Sequence, residues 1–311
     1  MRRFTTMDDY CMDDGLDFLR RQLEFIEPEV YKVLYREIVY PQMIPVSTAA
    51  GPFANAITYQ SMDRRMAARF MAVGADDMPL ADISRDRTTM PVEHAGLGFR
   101  YALQELAEAQ FMGIPLDQER ANSVRRGVEE FAQNIAFLGD ADHNLPGFLN
   151  NAGIPAASAP TGTWSTATAD QIIADVNFGL TEVWDESATV HLPDTVAIPP
   201  AQFALLSTTL VGTEHNRSLL DVLNTSNVYY ARTKQPLNIM PLAELEGIGA
   251  GSTDRMVVYE KNRRNLEFFF PMPLQFIAPQ PVGLNVLVPG QFRVSGTAVR
   301  YPGAARFVDG L

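Results

Sequence analysis

Asp140, Asp142 and His143 carry the donor types of a hard-cation or mixed metal site, because two carboxylates and an imidazole within four residues can face one point in a loop. The same residues follow Gly139, a natural helix terminator, and acidic side chains there are what a turn requires. Turn chemistry is the simpler account, and a metal-dependent hydrolase built on the three stands as a remote alternative. A general base would have to come from His94, His143, His191 or His215. No G-x-S-x-G elbow accompanies them, and each stands in a polar loop or strand context. Gly247, Gly249 and Gly251 space like a phosphate cradle, yet a strand is predicted after them where a cradle needs a helix. Cys11 has Asp13 and Asp14 close by, which raise a thiol's pKa. Trp164 and Trp184 lack the interleaved basic residues of a base-stacking platform. No catalytic residue, cofactor or metal ligand set is therefore assigned.

The elements that would have to position such chemistry point elsewhere. Leu16, Leu19, Leu23 and Ile26 predict a short amphipathic helix that Pro28 ends. From Ser61 to Leu97 the chain has no helix-sized apolar face. There Arg64, Arg65, Asp82, Arg85 and Arg87 are interleaved with Met and Ala, which predicts a two-stranded arm with its tip near Gly74 to Pro79. An isolated hairpin is marginal in water, so the arm makes sense lying on a neighbouring chain, the alternative being a fold back onto its own core. Apolar spacing from Phe99 to Leu138 predicts a long, kinked spine helix, broken once at Gly113-Ile114-Pro115 and capped by Gly139. A helix follows from Ala169 to about Glu186, with Thr168 or Thr166 as its cap. Thr195 to Ile198 reads as a strand, Pro199-Pro200 opens a helix through Leu206, and Arg217 to Leu223 forms another. Strands then dominate at Arg255–Tyr259, Leu266–Phe270, Leu284–Val288, Gln291–Arg300 and Ala305–Val308.

Composition sets the outer bounds. With 311 residues and 46% hydrophobic side chains the chain can bury a sizeable core, and its longest apolar runs are far short of the ~20 residues that span a bilayer. No membrane partner is expected, and the acidic cluster Asp8, Asp9, Asp13 and Asp14 stands where a signal peptide would place its apolar segment. The single cysteine excludes an intramolecular disulfide and any multi-cysteine metal site. A net charge of −12 repels phosphate backbones overall. Basic residues comprise 22 arginines against three lysines, a bias that suits interface ion pairs, although GC-rich coding produces the same bias.

The ordered series of segments is similar to a known family. The runs FLRRQLEFIEPEVY (18–31), PVSTAAGPFANAITY (45–59), RRMAARFMAVGADDMPLADIS in the arm, the spine with the loop after it, PDTVAIPPAQFALLST (193–208) and GSTDRMVVYEKNRRNLEFFFPMPLQFIAPQ stand in the order of the major capsid proteins of tailed phages and prophages. The resemblance covers about Leu16 to Leu311. It implies an α+β chain with the Hong Kong 97-type capsid fold, divided into an N-terminal arm (1–50), an E-loop and its base (51–98), a P-domain spine (99–146), an A-domain (147–266) and C-terminal strands returning to the P-domain (267–311).

It also implies self-assembly into pentamers and hexamers of an icosahedral shell around packaged double-stranded DNA, held without sequence specificity. Portal, scaffold and decoration proteins would be further partners, with assembly in the bacterial host cytoplasm. Arg64, Arg65, Asp82, Arg85 and Arg87 become the expected inter-subunit contacts. An encapsulin-like nanocompartment shell is the alternative within the fold. Two departures stand out. The type member is crosslinked through an E-loop lysine, and no lysine occurs between Gly51 and Tyr101 here, so no such bond is expected. Nor does a long helical scaffolding extension stand ahead of Leu16.

Overall fold

The computed structural model describes residues 35–65, 82–112, 117–211 and 217–311. The amphipathic segment at Leu16 to Ile26, Cys11, the arm tip at Gly74 to Pro79, the Gly113–Pro115 break and His215 lie outside them. The chain divides into Met1–Glu37 and Ile38–Leu311, and the architecture is that of the second unit.

Its centre is a five-stranded mixed sheet in the order Asn238–Pro241, Thr195–Ile198, Arg255–Tyr259, Ala305–Asp309, Ala156–Ser158. Side chains alternate between the two faces of a strand, and here both faces are covered. Val196, Ile198, Met256, Val258 and Val308 enter one core, which the helix Ala169–Glu186 closes with Ile172, Val176, Leu180 and Val183. Ala197, Val257, Tyr259 and Phe307 enter the other, where the helix Asp117–Leu138 supplies Val128, Ala132, Ile135 and Ala136. The first helix lies so close to the sheet that a Cβ on Gly179 would come within 2.9 Å of Val258. Its start is a capping box: Thr168 accepts from the Gln171 amide, and the Gln171 side chain accepts from the Thr168 amide at 2.8 Å.

The spine differs at its start from the kinked helix expected over Phe99–Leu138. Phe99–Ala102 is a strand paired with Asn285–Val288, followed by the helices Leu103–Met112 and Asp117–Leu138. A helical turn would abandon that ladder, and the extended backbone instead buries Tyr101 beneath the Arg120 guanidinium, 4.4 Å from its ring centre.

At the far end of the spine, Gly139 takes φ +69° and the chain doubles back, pairing Gly139 with Pro146. Backbone amides of Phe148 and Leu149 then donate to the carbonyls of Ala136 and Phe137, satisfying acceptors that a helix end leaves open. The crossing is so close that a Cβ on Gly147 would lie 2.4 Å from the Gly139 nitrogen.

Strands after Tyr259 form smaller sheets. Leu266–Phe269 pairs with Val46–Ser47 in parallel and with Thr297–Val299 antiparallel, and Gly290–Val294 joins Met272–Phe276 to Glu93–Gly96. The segment 267–311 therefore divides. Most of it stays with these sheets, whereas Ala305–Asp309 inserts between Arg255–Tyr259 and Ala156–Ser158 in the central sheet.

Ala56–Arg65 and Asp82–Pro91 form the arm as a ten-pair antiparallel ladder. Among the residues whose burial is described, the arm is embedded at its root: Ile57 and Met90, opposite each other, pack with Val92 on Phe269 and Ala298.

Candidate functional site

Among the described residues none of the metal or nucleophile candidates assembles into a catalytic constellation. Asp140 accepts the Asp142 amide at 3.0 Å and contacts His143 Nδ1 at 2.7 Å, the closed arrangement of an Asx turn. That mutual contact lowers the Asp140 pKa and raises that of His143, chiefly through their shared hydrogen bond. Among the described residues no three His, Cys, Asp or Glu groups are placed to hold a metal.

His94 approaches Gln291 at 3.4 Å, and His191 contacts Glu260 at 2.8 Å, with no serine or cysteine nucleophile contacting either ring among the described hydrogen bonds. In the glycine-rich loop the amides of Gly247 and Ala250 donate to Asp254 and Asp309, so the chain's own carboxylates occupy the donors a phosphate would use. Trp164 is a core residue whose Nε1 donates to the buried Asp175 at 2.9 Å. Trp184 is part-buried, with the Arg232 guanidinium 5.8 Å from its ring centre.

What the described surface offers instead is the arm. Residues 85–89 are all exposed, so both faces of that strand stand in solvent beyond the embedded root. The ladder sets Arg65 opposite Asp82, Arg64 opposite Ile83, Met62 opposite Arg85 and Gln60 opposite Arg87. Arg85 and Arg87 are exposed.

At the root lies a cleft of about 610 Å³, with Tyr59, Gln60 and Ser61 on the strand side and Arg263, Arg264 and Arg300 on the body. Glu267, 3% exposed, lies among them. It accepts from Arg263 and Arg300 at 2.5 Å each, and Arg263 also donates to Ser47 at 2.9 Å. Burial pushes the Glu267 carboxyl up, but hydrogen bonds from Arg300, Arg263 and Ser47 outweigh it and hold the group below its ordinary value. The Arg300 guanidinium sits 5.9 Å from the Tyr59 ring centre and 5.8 Å from that of Phe269, tying the strand to the body. Sequence reading missed this cluster. Its one local trace is the four-residue spacing of Arg263 and Glu267, which means little outside a helix.

A second surface is apolar. Leu284 is 80% exposed at a hairpin turn and Phe111 is 94% exposed, and a separate hollow of about 350 Å³ is lined by Phe99, Tyr101, Leu106, Phe276, Val286 and Val288. Among the described residues no helix is long and apolar enough to cross a membrane.

Comparison with known proteins identifies the family and the fold. The family model described as major capsid protein matches residues 66–311. No curated protein matches the chain. Among solved structures, the capsid of Myoviridae phage XM1 superposes with a TM-score of 0.80 at 19% identity, covering 94% of this chain and 98% of that one. A structure from Mycobacterium phage Ogopogo gives 0.61 at 14%, with 94% and 98% covered. The capsid of an empty GTA particle gives 0.61 at 12%, with 98% and 99% covered. At such identities the superpositions establish the Hong Kong 97-type α+β fold.

Proposed function

Because the chain belongs to the major capsid protein family, we propose that it assembles through its arm into pentamers and hexamers of an icosahedral shell that encloses packaged double-stranded DNA. The observation that carries the reading is the arm itself. A two-stranded ribbon with exposed faces and two open edges has too little burial to hold its shape in water, and a neighbouring subunit supplies the missing surface. Arg64, Arg65, Asp82, Arg85 and Arg87 are the contacts assigned to that neighbour. One exposed ion pair contributes at most about 1 kcal/mol, but the contact repeats at every subunit of a shell.

The role is structural rather than catalytic, and the virion is its place of action. The acidic balance suits a wall that does not grip the genome. Without a lysine between Gly51 and Tyr101 the arm clasps by strand pairing and ion pairs alone. The E-loop and its base span 51–98, the spine region 99–146 and the A-domain 147–266, with the final strand of 267–311 shared into the A-domain sheet.

Light scattering with negative-stain electron microscopy of the purified protein tests the proposal. Megadalton hollow particles, or their pentamers and hexamers, are the expected outcome. A stable monomer at high concentration would refute it, and a small closed compartment with a docked cargo enzyme would favour the nanocompartment alternative.

A further inference from the structure

We infer that the cleft at the root of the arm docks an extended, carboxylate-bearing segment of a second copy of the chain, which adds as a third strand to the free edge of Ala56–Arg65. The inference rests on the capsid reading and deepens it by naming the surface and the chemistry of its occupant. Tyr59, Gln60 and Ser61 are consecutive, and consecutive side chains of a strand point to opposite faces. All three can border one cleft only if the cleft runs along the strand edge. That edge is open, because among the described residues Ala56–Arg65 pairs with Asp82–Pro91 alone.

The body side of the cleft supplies charge. Arg263 and Arg300 share one carboxylate, Glu267, and Arg264 is exposed with no hydrogen bond or ion pair from its guanidinium among the described residues. The cleft thus carries net positive charge within a chain of net charge −12. A free strand edge offers alternating N–H donors and C=O acceptors, and a polypeptide strand matches both, whereas phosphate oxygens only accept. In a heterologous contact the cleft of one copy meets a different surface of the next, and this chain carries 37 Asp and Glu against 25 Lys and Arg. Backbone pairing would set the register, and carboxylates reaching Arg264 and the outer donors of Arg300 would set the choice of segment.

A photo-crosslinking residue placed at Gln60, with a second variant at Ser61 in case the first does not assemble, tests this in assembled particles. The expected product joins two copies through a peptide containing Asp or Glu. In parallel, Arg264→Glu should raise the threshold concentration for assembly about tenfold while Arg264→Lys largely preserves it, with the melting of the unassembled subunit unchanged in both. Crosslinks only within one chain, to nucleic acid, or to a segment without acidic residues would overturn the docking. So would an unchanged threshold in Arg264→Glu. Failure of the wild-type chain to form particles would instead overturn the capsid reading beneath it.

Discussion

The central sheet and the arm are both built from strands, yet they achieve stability by different means. Tyr259 is fully buried, donates to the Met43 carbonyl at 2.9 Å and packs edge-on to Phe148, 5.1 Å between ring centres. Its neighbours in the sheet are covered on both faces, so the fold of that region is a property of one chain. In the arm, Gln60, Ser61 and residues 85–89 are exposed beside the buried Ile57 and Met90. The same chain thus carries a body covered on both sheet faces and a ribbon with exposed faces. Burial, rather than strand content, separates the two.

The contrast breaks most visibly in the body. Phe268, fully buried and 5.5 Å from the Tyr40 ring in an edge-on pair, belongs to the core shared with the spine helix. Phe268→Ala should cost the unassembled subunit about 3–5 kcal/mol, read as a lower midpoint in denaturant melts.

At the boundary between the regions, Glu267→Gln should cost about 1.5–3 kcal/mol by weakening two charge-assisted hydrogen bonds. Its pH dependence sharpens the comparison. The folded pKa lies below the ordinary value of 4.5, so the carboxylate's contribution is complete above pH 4.5 and is lost as pH falls through the depressed folded value. The stability gap between wild type and Glu267→Gln should therefore stay constant near neutrality and narrow below pH 4.5. A gap that widens on acidification would contradict the assignment.

Thr168→Ala removes one half of the capping box on the helix Ala169–Glu186 and should cost about 1 kcal/mol in the same melts. The smallest effect is expected in the arm. Arg85→Glu with Arg87→Glu should move subunit stability by no more than about 0.5 kcal/mol, because both side chains are exposed. The same double variant should impair particle formation in light scattering. A large loss of subunit stability, or normal assembly, would remove the distinction between the two regions.

Much of the architecture was legible in the residues. The helix Ala169–Glu186 and its Thr168 cap, and the strands Thr195–Ile198 and Arg255–Tyr259, follow from apolar period and capping chemistry, signals carried within a few residues. The arm was legible through what it lacks, a helix-sized apolar face. The spine was misread at its start because Phe99 and Tyr101 suit helical and alternating patterns alike in so short a stretch, and the pairing that decides between them comes from Asn285–Val288. At Asp140 to His143 the residue types allowed a metal loop or a turn, and the hydrogen bonds among those residues close the turn.

The sequence by itself determined the helix Ala169–Glu186, the strands Thr195–Ile198 and Arg255–Tyr259, the net charge of −12 and the arm's lack of a helix-sized apolar face. Only the tertiary structure decided that Ala305–Asp309 enters the central sheet, and that Arg263, Glu267 and Arg300 meet Ser47 beside the arm. Propensity and capping act over a few residues and can be read locally. Those meetings join positions as far as 216 residues apart, and they form because burying two apolar sheet faces at once leaves the chain one way to close.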